Sequence, residues 1–262
     1  MNIFFYLADI LCQIDCDDEK IGRYFVKVYN TIQLKKTHPQ IILSITFKKG
    51  SYSFQARNLS LSVRKKDVSQ KELMYVCNII LQYEALPFNI LFLHACAFVY
   101  QGKACIFSGP SGAGKTTIMK QANKNTVLAE DSTIIKKRNS HFYVYPSPFD
   151  RITRFYQAPK PVKIGTIFFI RQMDDFREST LDIRNRLAYV LGNNYSLDID
   201  KPYINLKRKR RKPFTVYYSK KKQISVYSPL WYELLFELAE TVKIKRLGVA
   251  GKNTILSYLA TR

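Results

Sequence analysis

The stretch Cys105-Ile-Phe-Ser-Gly109-Pro110-Ser111-Gly112-Ala113-Gly114-Lys115-Thr116-Thr117 decides how this chain is read. From Gly109 to Thr116 it matches G-x-x-x-x-G-K-[ST], a pattern in which backbone N–H groups wrap a phosphate chain, a lysine reaches the outer phosphates and a hydroxyl faces a magnesium ion. Glycine lets the main chain approach an anion closely, and lysine is a point charge on a flexible stem. Cys105-Ile106-Phe107 has the apolar character of a strand, and Thr116 to Ala122 carries Ile118, Met119 and Ala122 at helical spacing. Strand, loop and helix stand in the order the motif requires. The loop residues Gly109 to Thr117 are therefore expected to hold a nucleoside triphosphate, ATP by default, with Thr116 on its magnesium ion. Free N–H groups and the helix dipole favour an anion at the same place.

Working outward, Phe92 to Tyr100 and Ala104 to Phe107 flank Gln101-Gly102-Lys103, which is hairpin chemistry. After the loop helix, Val127-Leu128-Ala129 reads as a short strand ending at Glu130-Asp131. Further strands are expected over Phe142 to Tyr145, Ile164 to Ile170, Phe214 to Tyr218 and Ile224 to Tyr227. Ser228-Pro229 opens an amphipathic helix carrying Leu230, Trp231, Leu234, Leu235 and Leu238, and a last helix starts near Asn253. Upstream, residues before about Val68 alternate in the manner of strands, among them Tyr24-Phe-Val-Lys-Val-Tyr29, Ile41 to Phe47 and Tyr52 to Ala56. Ser69 and Glu72 have capping-box spacing at the start of a helix that Pro87 ends. The expected organisation is α/β: a smaller β-rich N-terminal region over 1–88 that ends in a helix, then a phosphate-loop domain over 89–262 with a mixed β-sheet and the loop helix.

With 262 residues of which 47% are hydrophobic, the chain has a globular composition and enough length to bury a sizeable core. The formal net charge of +22 implies an anionic partner: an acidic peptide or protein, nucleic acid or a membrane surface. Arg64-Lys65-Lys66, Lys207 to Lys212 and Lys220-Lys221-Lys222 are the densest clusters. The second of these has the composition of a nucleic-acid patch, and equally of a basic hairpin ahead of a tyrosine-rich strand. Five cysteines without paired spacing read as buried free thiols in a reducing compartment. The apolar start lacks a basic leader and is interrupted by Asp9, and no run of about 18 apolar residues is free of polar interruption. A cytoplasmic location without a membrane span is the expectation.

Two acids stand where chemistry is expected. Glu130 and Asp131 end a strand, and in α/β sheets the phosphate loop also opens from a strand's C-terminal end, so the pair should face the triphosphate. One acid can hold magnesium while the other orients or deprotonates an attacking hydroxyl. His94, in the strand before the hairpin, is a candidate to orient the second acid or share its proton; His38 and His141 have no comparable context.

Taken together, Leu93-His94-Ala95, Gly102-Lys103, Gly109 to Thr116, Leu128-Ala-Glu130-Asp131, Val144-Tyr-Pro-Ser-Pro148 and Ile164 to Ile170 resemble the serine kinases related to HPr kinase/phosphorylase. The core of that family is similar to phosphoenolpyruvate carboxykinase. The resemblance spans about Leu91 to Ile170. It implies a phosphate-loop core of that type, with Asp131 as the base toward a serine hydroxyl, His94 assisting it, Lys115 on the transferred phosphoryl group and Glu130 in place of the more usual aspartate at the metal. Arg151 and Arg154, after the Tyr-Pro segment, are candidates to touch phosphate or acceptor. The N-terminal region is shorter than in the bifunctional enzymes and their C-terminal phosphorolysis segment is missing, so the nearer likeness is to the short members, such as kinases of lasso-peptide precursors. The expected activity is an ATP- and magnesium-dependent kinase acting on a serine-type hydroxyl of an acidic peptide or protein, with a free metabolite as another acceptor class. A nucleotide-regulated nucleic-acid-binding protein and a transporter-type ATPase module are the alternatives. The latter lacks support beyond the loop, since neither an LSGGQ-like signature nor a long apolar strand ending in Asp-Glu is present.

Overall fold

The computed structural model describes residues 1–29, 31–33, 38–57, 59–65, 69–149, 160–173, 177–192, 197–198, 204–208, 215–218, 223–227, 229–249 and 255–260. Along the chain they form β1 (Asn2–Leu7), β2 (Ile10–Cys16), α1 (Glu19–Val28), β3 (Ile41–Lys48), β4 (Ser51–Gln55), β5 (Leu59–Arg64) and α2 (Gln70–Ala85). Next come β6 (Ile90–Tyr100), β7 (Lys103–Ser108), α3 (Lys115–Gln121), β8 (Val127–Ala129), β9 (Ser132–Arg138), β10 (His141–Tyr145), β11 (Val162–Gln172), β12 (Arg177–Thr180) and α4 (Ile183–Gly192). The last part holds β13 (Leu197–Asp198), β14 (Ile204–Arg208), β15 (Thr215–Tyr218), β16 (Gln223–Tyr227), α5 (Pro229–Thr241), β17 (Lys243–Val249) and α6 (Ile255–Ala260). The protein is thus mixed α/β with mixed sheets and a β-rich N-terminal part. Among the described residues no helix is long and apolar enough to cross a membrane.

Two compact units divide the chain: Met1–Ile90 with Tyr195–Tyr232, and Leu91–Asn194 with Glu233–Arg262. The first unit is built on a sheet in the order β1-β2-β3-β4-β5-β14, with β2 and β3 parallel and the other neighbours antiparallel. One face is apolar: Ile3, Phe5 and Leu7 of β1, Ile14 of β2, Leu43 and Ile45 of β3 and Phe54 of β4 are all buried. Helix α2 packs on this sheet, and its start has the reciprocal cap that its sequence calls for. Ser69 Oγ accepts from Glu72 N at 3.2 Å while Ser69 N donates to Glu72 Oε2 at 2.7 Å. Pro87 falls in a 3-10 turn directly after α2, closed by Asn89 in the left-handed region at φ 60.

Two differences from the sequence expectation concern this unit. Tyr24 to Val28, expected as strand, belongs to α1. Asp18 Oδ1 accepts from Ile21 N at 3.1 Å and caps the helix, and Ile21, Phe25 and Val28 recur at helical spacing and are buried. A short, mostly apolar run fits both periods, and the cap is what separates them. The second difference is the return of Tyr195–Tyr232 to the first unit, although the sequence reading kept all of 89–262 together. Strand β14 pairs with β5 over five residues, from Ile204↔Val63 to Arg208↔Leu59, and such a long-range pairing leaves no local signature. Ser228 and Asn253, expected at helix starts, lie outside the described residues, as do Lys66, Lys209 to Lys212 and Lys220 to Lys222 of the basic clusters.

The second unit carries the loop. Its sheet runs β10-β9-β6-β7-β11-β17-β12, with β8 on β6, and β10 also pairs with β11. Strands β6 and β7 form the expected hairpin through Gln101 and Gly102, whose φ values of 48 and 73 make a mirror-image two-residue turn. Strand β7 is parallel to β11, and β11 to β17. Cys96, Phe98, Phe107, Phe168, Ile170 and Leu247 point to one face of the sheet, where Ile118 and Met119 of α3 and Ile255 and Leu259 of α6 close the core. Across it, Phe107 stacks on Phe98 at 5.3 Å and on Phe168 at 5.1 Å between ring centroids. On the opposite face Phe169 stacks on Tyr189 of α4 at 4.9 Å.

Because Phe107 is fully buried between two rings, Phe107→Ala is expected to cost about 3–5 kcal/mol. Urea unfolding followed by near-UV circular dichroism checks this; an unchanged midpoint would remove the ring stack as the support of the strand that leads into the loop.

Candidate functional site

Strand β6 is antiparallel to both β7 and β8, so those two run in the same direction and end at the same edge of the sheet. Gly109 follows the last residue of β7, and Glu130-Asp131 follow the last of β8. Ala95 of β6 ties both ends. It pairs with Ser108 on one side, and its N–H donates to the carbonyl of Asp131 at 3.1 Å on the other. Two strand spacings of about 4.8 Å then put the backbone of Asp131 about 10 Å from that of Ser108, with β6 between them.

Alternation along β6 puts His94 on the same face as Cys96 and Phe98, the face covered by α3. Cys96 Sγ donates to the carbonyl of Lys115 at 3.4 Å, and His94 is two residues nearer the loop edge. His94 Nδ1 lies 3.3 Å from Asp131 Oδ1. Burial lowers the pKa of His94 below its ordinary 6.5, with the Lys115 charge adding to the effect and the Asp131 carboxylate opposing it. Burial thus favours the neutral imidazole, whose Nδ1 faces the carboxylate. Burial also lowers Lys115, against the opposing pull of Asp131. Lysine, imidazole and carboxylate thus feel one another's charge.

The loop holds its lysine folded back. Lys115 is buried, and its Nζ donates to the carbonyls of Gly109 at 2.7 Å and Pro110 at 3.2 Å. A Cβ on Gly109 would lie 2.6 Å from the carbonyl oxygen of Ile170 on β11, so only glycine fits there. Gly114, at φ 101 immediately before α3, has a backbone that side-chain-bearing residues resist. Pro110, Ser111, Gly112, Thr116 and Thr117 are exposed, whereas Ala113 is buried in the core under the loop. Glu130 is half-buried next to the exposed Asp131. Arg151 and Arg154 lie outside the described residues.

Three supporting side chains were not picked out in the sequence. Ser108 Oγ donates to the His94 carbonyl at 2.9 Å, Thr133 Oγ1 donates to the Ala95 carbonyl at 2.8 Å, and Gln172 Nε2 donates to the Gly112 carbonyl at 2.9 Å. Ser108 and Thr133 each stand within two residues of a motif and were legible as its flanks. Gln172 was not, because only the parallel pairing of β7 with β11 brings it to the loop. Among the described residues no group of three or more His, Cys, Asp or Glu is arranged to hold a metal ion. Chemically, the arrangement offers a lysine cation held by two loop carbonyls, with a carboxylate and an imidazole in contact with each other and near enough to act on its charge.

Comparison with models of known protein families finds none that matches this chain, and comparison with curated proteins finds no match either.

Two outcomes are expected. Gly109→Ala must displace the loop from Ile170, and a lower melting temperature than that of Ser111→Ala, measured side by side, checks it. His94 binds its proton less readily in the folded chain than in the unfolded one. Its stabilising contribution is therefore fully present above pH 6.5 and is lost as pH falls toward the lowered folded value. Melting temperatures between pH 7.5 and 5 should fall less steeply in His94→Gln; identical slopes would show that the imidazole is not held neutral by burial.

Proposed function

We propose that this protein is an ATP- and magnesium-dependent kinase that transfers the γ-phosphoryl group to a serine-type hydroxyl of a peptide or protein. The observation that carries the proposal is the meeting of Lys115, His94 and Asp131 at one sheet edge, with Asp131 tied by its backbone to the strand next to the loop. Further support comes from the hairpin directly ahead of the loop and from the acid pair at the end of β8, both of which the resemblance to HPr kinase-related serine kinases leads one to expect.

In this reading the backbone N–H groups of the loop receive the phosphate chain, and Lys115 leaves the Gly109 and Pro110 carbonyls for the β- and γ-phosphates. Asp131 accepts the proton of the acceptor hydroxyl as its oxygen bonds to the γ-phosphorus and the bond to the β-phosphate oxygen breaks, releasing ADP. His94 keeps one carboxylate oxygen occupied through Nδ1–H, so the other is presented to the acceptor. Thr116 and Glu130 are the oxygen donors that would hold magnesium, which when bound neutralises phosphate charge. A protein contribution of one or two oxygens suits that ion, which takes its other ligands from phosphates and water.

The test uses purified protein, γ-labelled ATP and candidate acceptor peptides. Lys115→Ala is expected to abolish labelling and weaken ATP binding. Asp131→Asn should reduce labelling by about 10²–10⁴-fold while ATP binding is retained. Undiminished transfer by Asp131→Asn would overturn the assignment of the base.

A further inference from the structure

We infer that Gln172 is a positioning residue for the phosphate loop: its side-chain amide fixes the orientation of the Gly112–Ala113 peptide, and with it the N–H that Ala113 offers to a phosphate oxygen. This rests on the reading of Gly109 to Thr117 as a triphosphate site. Near its C-terminal end β11 is paired on both sides, with β7 up to Phe169↔Ser108 and with β17 up to Gln172↔Val249, and Met173 N donates to the Val249 carbonyl at 3.1 Å. Gln172 therefore stands on a backbone fixed by the sheet. Alternation puts its side chain on the face of Phe168 and Ile170, the face closed by α3. The same end of β11 meets the loop twice: the Ile170 carbonyl lies against Gly109, and Gln172 Nε2 donates to the Gly112 carbonyl at 2.9 Å. A carbonyl only accepts, so the amide nitrogen of Gln172 is the end that faces it.

What this bond holds is one peptide plane. Gly112 is exposed and sits at φ 81, and a glycine there lets the peptide that follows it turn over at low cost. In a trans peptide the C=O and the N–H point in opposite directions, so drawing the Gly112 carbonyl toward β11 aims the Ala113 N–H the other way, into the loop. There it donates to the Pro110 carbonyl at 3.2 Å, the same oxygen that Lys115 Nζ reaches at 3.2 Å. Two donors thus converge on one oxygen. A phosphate oxygen taking the place of that carbonyl finds both already directed at it, and the loop is ordered before the ligand arrives. With the peptide turned over, the Gly112 carbonyl would face the phosphate chain and repel it. Gln172 selects between these two orientations.

Two variants of the full chain test this. Gln172→Met keeps the length of the side chain and loses the donor, whereas Gln172→Glu keeps its shape and sets carboxylate oxygens against the carbonyl. Because Gln172 is exposed, both should leave the melting temperature unchanged. Fluorescence anisotropy of a labelled ATP should show binding about three- to tenfold weaker in Gln172→Met. Gln172→Glu should bind more weakly still, since it adds a negative charge beside the phosphates. Hydrogen exchange at the Ala113 amide, read by NMR in the nucleotide-free chain, should be faster in both variants while the amides of α3 stay as they are. ATP affinity equal to wild type in Gln172→Met overturns the proposal, and so does unchanged exchange at Ala113. A melting temperature lowered in both variants, with ATP binding lost in step with it, assigns Gln172 a structural role and overturns the proposal too. Faster exchange at Ala113 in the variants, with no ATP binding by the wild-type chain, leaves the peptide lock standing and removes the triphosphate reading.

Discussion

The constraint on which the site depends is the position of β6, held between two strands that run opposite to it. Its residue Ala95 is paired with the end of the loop strand on one side and donates its N–H to the backbone carbonyl of Asp131 on the other. Backbone hydrogen bonds set these separations, so they tolerate little variation. The side chains then need only alternation to meet. His94 falls on the face under α3, and Asp131 is brought within reach of its Nδ1.

That arrangement sets the electrostatics. A carboxylate, an imidazole and a lysine share a partly buried edge, where charge interactions are stronger than in water. Burial favours the neutral forms of both His94 and Lys115, and the Asp131 carboxylate opposes it in each case. The lysine is held by its own loop carbonyls. Hydrogen bonds from Ser108 and Thr133 to the carbonyls of His94 and Ala95 add side-chain ties to β6 beside it.

The same alternation that builds the site distributes the basic charge of β9. Lys137 turns inward to Glu237, whereas Lys136 and Arg138 stay on the face shared with Tyr143 and Lys163. A net charge of +22 does not by itself distinguish a docking surface from a generally cationic one. Strand pairing decides which cations lie side by side.

Much of the loop region was legible from residue order, because its signals are local: the glycine spacing of 109–114, the Gln101-Gly102 turn, the Ser69–Glu72 cap and the apolar runs of β7, β8 and β11. Glu130, Asp131 and His94 could be nominated on the same basis. The sequence alone did not separate helix from strand over Tyr24 to Val28, where five largely apolar residues satisfy both periods until Asp18 is seen to cap. Nor did it anticipate β14 joining β5 or Gln172 reaching Gly112. These features rest on contacts between segments far apart in the chain, whose register is set by sheet hydrogen bonding and shared burial. Local sequence therefore determined which elements form and which residues bear chemistry, and tertiary pairing decided which of them stand together.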